Sequence, residues 1–135
     1  MSVSFTAGKK KAELGFHAFL MMKHHVLRGI DARYYFRFKR VREHIANWEK
    51  DKGNKLYREL IQELESKGHK GAIYFIRAYD TDWTFSAAEV KEIAPLLART
   101  DFGYYENNKS KHEDMFAVRD LFLYAKKHNA KVVIS

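Results

Sequence analysis

Apolar residues recur at helical spacing in four segments of the chain. In the first segment they are separated by steps of four, three, four and three residues, which predicts a helix with one core-facing side. These residues are Tyr34, Phe38, Val41, Ile45 and Trp48. The same spacing predicts three further helices. Their apolar positions are Leu56, Tyr57, Leu60, Ile61 and Leu64; Val90, Ile93, Leu96 and Leu97; and Met115, Val118, Leu121, Phe122 and Ala125.

Glycine, proline and polar clusters predict where these helices end. The polar residues 51–54 are expected to separate the first two helices, and Gly68 is expected to end the second. Pro95 is expected to perturb the third helix. The polar residues 100–111 are expected to form a loop, and Asn129 is expected to stop the last helix.

Short runs of β-branched and aromatic residues predict the strands. Residues 3–7 and 132–134 are short candidates, whereas residues 72–79 form a nearly continuous apolar run typical of a strand covered on both faces. Residues 14–27 fit either a strand or a helix, and we favour a helix from about Phe16. We therefore expect one α/β or α+β domain over residues 1–135, with a small sheet covered by four to five helices.

Two aspartates precede the clearest helix start in the chain. Ser86 and Glu89 have the spacing of a capping box, so a helix should start at Ser86. Asp80 and Asp82 then lie at the end of the predicted strand of residues 72–79, where ligands gather in open α/β sheets. The alternative is that both aspartates only form turn hydrogen bonds and complement the helix dipole.

A calcium loop is excluded for this segment. An EF-hand that began at Asp80 would need glycine at its sixth position and glutamate at its twelfth, where the chain has Phe85 and Lys91. We therefore expect no metal site here.

Residues 80–89 resemble a signature of small immunity-type proteins of bacterial polymorphic toxin systems and of related phage and bacterial proteins. That signature reads Asp-Cys-Asp-Gly-x-x-Ser-Pro-Glu, and this chain differs from it at Thr81, Trp83 and Ala87, with its glutamate, Glu89, one residue later. The family also tends to have an upstream aromatic-rich helix, to which residues 36–42 or 15–19 could correspond, and a final helix followed by a short apolar strand. The resemblance implies a non-enzymatic protein that binds and neutralises another protein.

Asp80, Asp82 and Trp83 are the candidate partner-binding residues in that interpretation. Trp83 stands where the similar proteins usually have glycine. It is therefore either packed against the following helix or exposed for a partner, and interface energy is often concentrated in tryptophan.

Positive charge is concentrated in the first half of the chain. The formal net charge is +8, and residues 1–50 contain 11 Lys and Arg against four Asp and Glu. Such a half is a candidate surface for nucleic acid, nucleotide or an acidic protein. Arg33, Arg37 and Arg40 recur at helical spacing and predict a single ridge. The neighbours that could contact phosphates or stack on bases are Tyr35, Phe36, Lys39 and Arg42.

The alternative for this ridge is the solvated face of an amphipathic helix that buries Tyr34 and Phe38. Two functional classes therefore remain open, a protein-binding antagonist with an acidic target and a basic nucleic-acid or nucleotide binder.

Composition and motifs indicate several features that we do not expect in this protein. The chain has no cysteine, which fits a reducing compartment, and its apolar N-terminal segment is interrupted by Glu13 and His17. We expect a cytoplasmic protein that does not engage a membrane. His24 and His25 are adjacent and so lack the spacing of a helical zinc pair. Because no catalytic motif occurs, we expect neither an enzyme nor a cofactor.

Overall fold

The fold is α+β, as the sequence predicts, and it contains a four-stranded antiparallel sheet. The computed structural model describes residues 2–102 and 109–135, without the side chains of residues 109–112. The elements within these residues are β1 (Ser2–Ala7), β2 (Lys10–Gly15), α1 (Phe16–Ile30), α2 (Ala32–Ala46), α3 (Lys50–Ser66), α4 (Lys70–Ile76), β3 (Trp83–Phe85), α5 (Ala87–Arg99), α6 (Lys109–Lys127) and β4 (Val132–Ile134).

The sheet joins the two ends of the chain. Its strand order is β2-β1-β4-β3. Strands β1 and β2 form a hairpin whose turn contains Gly8 at φ 58°, a conformation that glycine adopts without steric cost. Phe5 of β1 pairs with Ile134 of β4, which pairs on its other side with Trp83 of β3. Strands β2 and β3 are therefore the edges of the sheet.

A cluster of phenylalanines connects the sheet to the helices. Phe5, Phe19, Phe75, Phe85 and Phe122 are each no more than 2% exposed. Their ring centroids lie 5.2 to 6.3 Å apart, mostly edge to face, which is a favoured geometry for aromatic pairs. These rings come from β1, α1, α4, β3 and α6, so this single cluster ties together elements that are distant in sequence.

Local signals predicted several boundaries correctly. Helix α1 begins at Phe16, and α5 begins after Ser86. The Ser86 hydroxyl accepts a hydrogen bond from the backbone N–H of Glu89, and the Glu89 carboxylate accepts one from the backbone N–H of Ser86. Asn129 adopts φ 50° just after α6, which ends the helix before β4. Pro95 is expected to perturb α5, but it does not interrupt the helix, which continues to Arg99.

The strand predicted for residues 72–79 is wrong, because most of this segment is helix α4. A continuous apolar run does not distinguish a buried strand from a buried helix. Gly71 at the start of α4 permits close packing on α5, because a Cβ at this position would clash with the carbonyl oxygen of Glu92. Consequently Asp80 and Asp82 follow a helix and precede β3, so they are not at the carboxyl end of a strand.

The predicted core side of α2 is correct only in its first three turns. Tyr34, Phe38 and Val41 are buried, but Ile45 is 42% exposed and Trp48 is 88% exposed. Helix α2 ends at Ala46, and Trp48 adopts φ 64° in the turn to α3. The helical spacing therefore continued past the end of the helix, where it has no structural meaning.

The break predicted at residues 51–54 is also wrong, since α3 begins at Lys50. Gly53 is buried inside α3, and a Cβ there would lie 2.6 Å from Cγ1 of Ile45 and 3.1 Å from the carbonyl oxygen of Val41. Glycine at this position thus permits α2 and α3 to approach closely and does not interrupt the helix.

The loop predicted for residues 100–111 lies largely outside the described residues, and α6 already includes Lys109. In the part of the chain that the structure describes, no helix is long and apolar enough to span a membrane.

Candidate anion-binding face

Helix α2 carries the cations predicted from the sequence, and its packing divides them between two sides. One side of α2 faces α3 and the other faces α1. Buried Tyr34 and Phe38 lie between these sides and anchor the helix to the core. The division decides which cations have carboxylate neighbours.

Two members of the predicted arginine ridge are paired with carboxylates of the same chain. The guanidinium of Arg33 lies 2.7 Å from the carboxylate of Asp31, and that of Arg37 lies 3.7 Å from the carboxylate of Glu63. Hydrogen bonds from Arg33 lower the pKa of Asp31 to about 2. Exposed pairs of this kind add little stability. They do, however, place a competing anion beside two of the three ridge cations.

The other side of α2 presents cations together with aromatic rings. Lys39 and Arg42 follow Tyr35 at steps of four and three residues, so the three share a helix face. Phe36 is 56% exposed and its ring centroid lies 5.1 Å from that of Tyr35. Arg40 follows Lys39 and lies toward α3, at the border of this side. We call Tyr35, Phe36, Lys39, Arg40 and Arg42 together the α2 basic face. None of the described salt bridges involves its three cations.

A buried histidine, His24, lies beside the cations of α2, and their charge affects its pKa. His24 of α1 is 3% exposed, and its Nε2 lies 3.4 Å from a guanidinium nitrogen of Arg42. Burial, followed by the charge of Arg42, lowers the pKa of His24 to about 4, and Lys39 contributes in the same direction. At neutral pH this ring is uncharged, so its Nε2 can accept a hydrogen bond from Arg42.

A cleft of about 430 Å³ opens where α1, Arg42 of α2 and the loop after α4 meet. Lys23 extends from α1 into its wall, and its ammonium donates a hydrogen bond to the carbonyl oxygen of Ala78 over 2.6 Å. Burial lowers the pKa of Lys23 to about 8, partly offset by the charge of Asp80. We call this space the Lys23 cleft. Its lining residues are Phe16, His17, Phe19, Leu20, Lys23, Arg42, Ala78, Tyr79 and Asp80.

The Lys23 cleft brings together one residue from each of the two predicted sites. Asp80, expected as a partner contact, lines the same cleft as Arg42 of the α2 basic face. Asp82 is exposed and adopts φ 52° in the turn before β3. Trp83 is half-buried and packs against the core, and its ring centroid lies 5.0 Å from that of Tyr79. Trp83 therefore supports Tyr79, which is 68% exposed at the rim.

A second concave surface lies on the α3 side of α2. It has a volume of about 360 Å³ and includes Arg40 of α2 with Lys52 and Lys55 of α3. Glu49 and Glu59 are nearby, since Lys52 pairs with Glu49 at 3.2 Å and Glu59 lines the surface itself. This groove is consequently less uniformly positive than the α1 side of α2.

Metal-ligating side chains are not clustered in residues 2–102 and 113–135. No three His, Asp or Glu side chains of this set are close enough to hold a metal ion.

The sequence interpretation missed Lys23 and Tyr79 as site residues. Lys23 lies between buried Met22 and buried His24 in α1, and a lysine inside a buried helical stretch is itself a signal. No comparable signal identifies Tyr79. The sequence predicts a strand over residues 72–79, whereas the exposure of Tyr79 depends on the loop that follows α4.

Comparison of the chain with protein-family models, with curated proteins and with solved structures gives no significant match.

Proposed function

We propose that the protein is a non-enzymatic binding protein that recognises single-stranded nucleic acid through the α2 basic face. The observation that carries this proposal is the grouping of Lys39, Arg40 and Arg42 with Tyr35 and Phe36 on one exposed helix. Phosphates require cations that are available, and single-stranded bases require exposed rings on which to stack. The α2 basic face offers both within about two helical turns, with Phe36 as its exposed ring.

The charge of the chain supports the same class of partner. A net charge of +8 with an isoelectric point near 9.6 favours association with polyanions. Arg33 and Arg37 add to the potential but are secondary contacts in this proposal, because a phosphate would have to displace Asp31 or Glu63 from them. A reducing compartment such as the cytoplasm is the location that we propose, since the chain has no cysteine.

The test compares two variants that each lose three positive charges. In the first, Lys39→Gln, Arg40→Gln and Arg42→Gln neutralise the α2 basic face. In the control, Lys91→Gln, Lys126→Gln and Lys131→Gln neutralise exposed lysines elsewhere. Fluorescence anisotropy with a labelled single-stranded oligonucleotide at low salt should show a loss of at least about tenfold in affinity for the first variant and less than about twofold for the control. Equal losses would show that only net charge matters and would reject the proposal.

An immunity-like antagonist that binds an acidic protein is the second candidate function. One observation favours it: Tyr79 is exposed on top of Trp83, beside the carboxylates of Asp80 and Asp82. Tyrosine and tryptophan are enriched among residues that dominate protein interfaces. Capture of a partner from lysate that persists after nuclease treatment and is lost in Tyr79→Ala would support this function, whereas capture abolished by nuclease would reject it.

A further inference from the structure

The Lys23 cleft contains two cations whose described hydrogen bonds are all with uncharged groups. The ammonium of Lys23 bonds to the carbonyl oxygen of Ala78, and the guanidinium of Arg42 approaches neutral His24. Neither cation belongs to a described salt bridge. Removing the Lys23 ammonium partly from water without an anionic partner is costly. A bound anion would offset that cost, so the cleft is better suited to an anionic ligand than to water alone.

Partial removal from water disfavours the charged form of both groups. It lowers the pKa of Lys23 to about 8 and also lowers the pKa of Arg42. Both remain charged at neutral pH. The charge of Asp80 raises the pKa of Lys23 but does not restore its ordinary value. The lining of the cleft therefore contains two cations, Lys23 and Arg42, against the single carboxylate of Asp80.

The remaining lining residues distinguish a nucleotide from a bare anion. Exposed Tyr79 and partly exposed Phe16 give the cleft aromatic surface on which a base can stack. Asp80 supplies a carboxylate that can accept hydrogen bonds from a ribose hydroxyl or a base amino group. The volume of about 430 Å³ lies within the range typical of small-molecule sites.

We propose that the Lys23 cleft binds one nucleoside monophosphate unit, with its phosphate at Lys23 and Arg42 and its base against Tyr79. This inference deepens the proposed function and rests on it for the nucleic-acid nature of the ligand. The unit has two possible sources, a free nucleotide or the 5′-phosphorylated end of a strand. Both present the same dianionic phosphate next to a ribose and a base.

The first experiment uses isothermal titration calorimetry with adenosine 5′-monophosphate, adenosine and inorganic phosphate as separate probes. The nucleotide should bind at least about tenfold more tightly than either of the other two, because only it engages both the cations and the aromatic wall. Lys23→Met and Arg42→Gln should each weaken nucleotide binding by about tenfold or more. Lys91→Gln with Lys126→Gln, which neutralises two exposed lysines outside the cleft, should leave it within about twofold.

Arg42 is exposed, so its substitution keeps the test valid even if Lys23→Met disturbs α1. The inference is overturned if adenosine binds as tightly as the nucleotide, or if Arg42→Gln binds the nucleotide like the wild type. A second titration compares an oligonucleotide that carries a 5′-phosphate with the same oligonucleotide that ends in a 5′-hydroxyl. Preference for the phosphorylated form assigns the cleft to strand ends, and equal affinity together with nucleotide binding assigns it to free nucleotides.

Failure of this inference is distinguishable from failure of the proposed function. If oligonucleotides bind through the α2 basic face while the mononucleotide does not bind, the cleft inference fails alone. If the mononucleotide binds while Lys39→Gln with Arg40→Gln leaves oligonucleotide affinity unchanged, the strand-binding function fails and the cleft remains a nucleotide site.

Discussion

The ammonium of Lys23 donates a hydrogen bond to the carbonyl oxygen of Ala78 over 2.6 Å, across 55 residues of sequence. This bond fixes α1 to the loop after α4, and so places Tyr79 and Asp80 at the cleft that Arg42 enters from α2. The same lysine thus positions a wall of the cleft and supplies its charge. The pH dependence of stability should reveal its environment.

Stability should rise with pH between about 8 and 10.5 because of Lys23. Its pKa is about 8 in the folded protein against an ordinary value of 10.5, so the unfolded chain binds more protons in this window. The penalty for burying the charge is fully present below pH 8 and is relieved above it, with a maximum of roughly 3 kcal/mol.

Urea denaturation of the wild type and Lys23→Met at several pH values measures this effect as the difference between the two proteins. The subtraction is needed because charged and titratable groups of other elements also face Lys23, namely Arg42, Tyr57, Arg77, Tyr79 and Asp80, while His17 and His24 are on its own helix. A difference that is constant from pH 7 to 10.5 would contradict a buried Lys23.

Phe38 and Ile45 should differ sharply in their contribution to stability. Phe38 is 6% exposed and packs against the ring of His24, so Phe38→Ala should cost about 3 to 5 kcal/mol. Ile45 is 42% exposed, so Ile45→Ala should cost only about 1 kcal/mol. Chemical denaturation of both variants gives the comparison, and similar midpoints would mean that the side of α2 that faces the core is misassigned.

Trp48 should contribute nothing to the core. It is 88% exposed and adopts φ 64°, a conformation that costs a non-glycine residue about 1 kcal/mol or more. Trp48→Gly should therefore leave the free energy of unfolding within about 1 kcal/mol of the wild type, since relief of strain opposes the greater entropy of the unfolded glycine chain. A loss of 3 kcal/mol in thermal or urea unfolding would instead indicate a packed indole.

Gly71 and Gly29 form a matched pair of helical glycines. A Cβ at Gly71 would clash with the carbonyl oxygen of Glu92, whereas nothing lies within 4 Å of a Cβ at Gly29. Gly71→Ala should destabilise the protein by about 1 to 3 kcal/mol through overpacking. Gly29→Ala should stabilise it by up to about 1 kcal/mol through helix propensity. Equal shifts in melting temperature would refute the close approach of α4 and α5.

Local signals were sufficient for part of the fold. The capping box at Ser86 and Glu89, the apolar spacing of α5 and α6, and Asn129 after α6 act over a few residues, and the structure agrees with each. Gly53 and Gly71 could not be interpreted from sequence, because what they permit is contact with a distant helix. A pattern along the chain does not specify which residue will approach another.

The sequence also predicts only part of the candidate site. The cations and aromatic residues of the α2 basic face follow from helical spacing alone. Which of them would meet a carboxylate depends on the packing of α2 against α3, which brings Glu63 to Arg37. Arg42 and Asp80 line the same cleft because residues 70–76 form the helix α4. The apolar run of residues 72–79 instead predicts a strand.

The salt dependence of single-stranded nucleic-acid binding tests the central claim most directly. If Lys39, Arg40 and Arg42 each neutralise one phosphate, the logarithm of the association constant should fall with the logarithm of salt concentration with a slope of about −2. Substitution of all three by glutamine should reduce the magnitude of the slope by about 2, while Lys91→Gln, Lys126→Gln and Lys131→Gln should leave it unchanged. Absence of binding at low salt, or a slope that the α2 substitutions do not alter, would contradict the assignment of the α2 basic face.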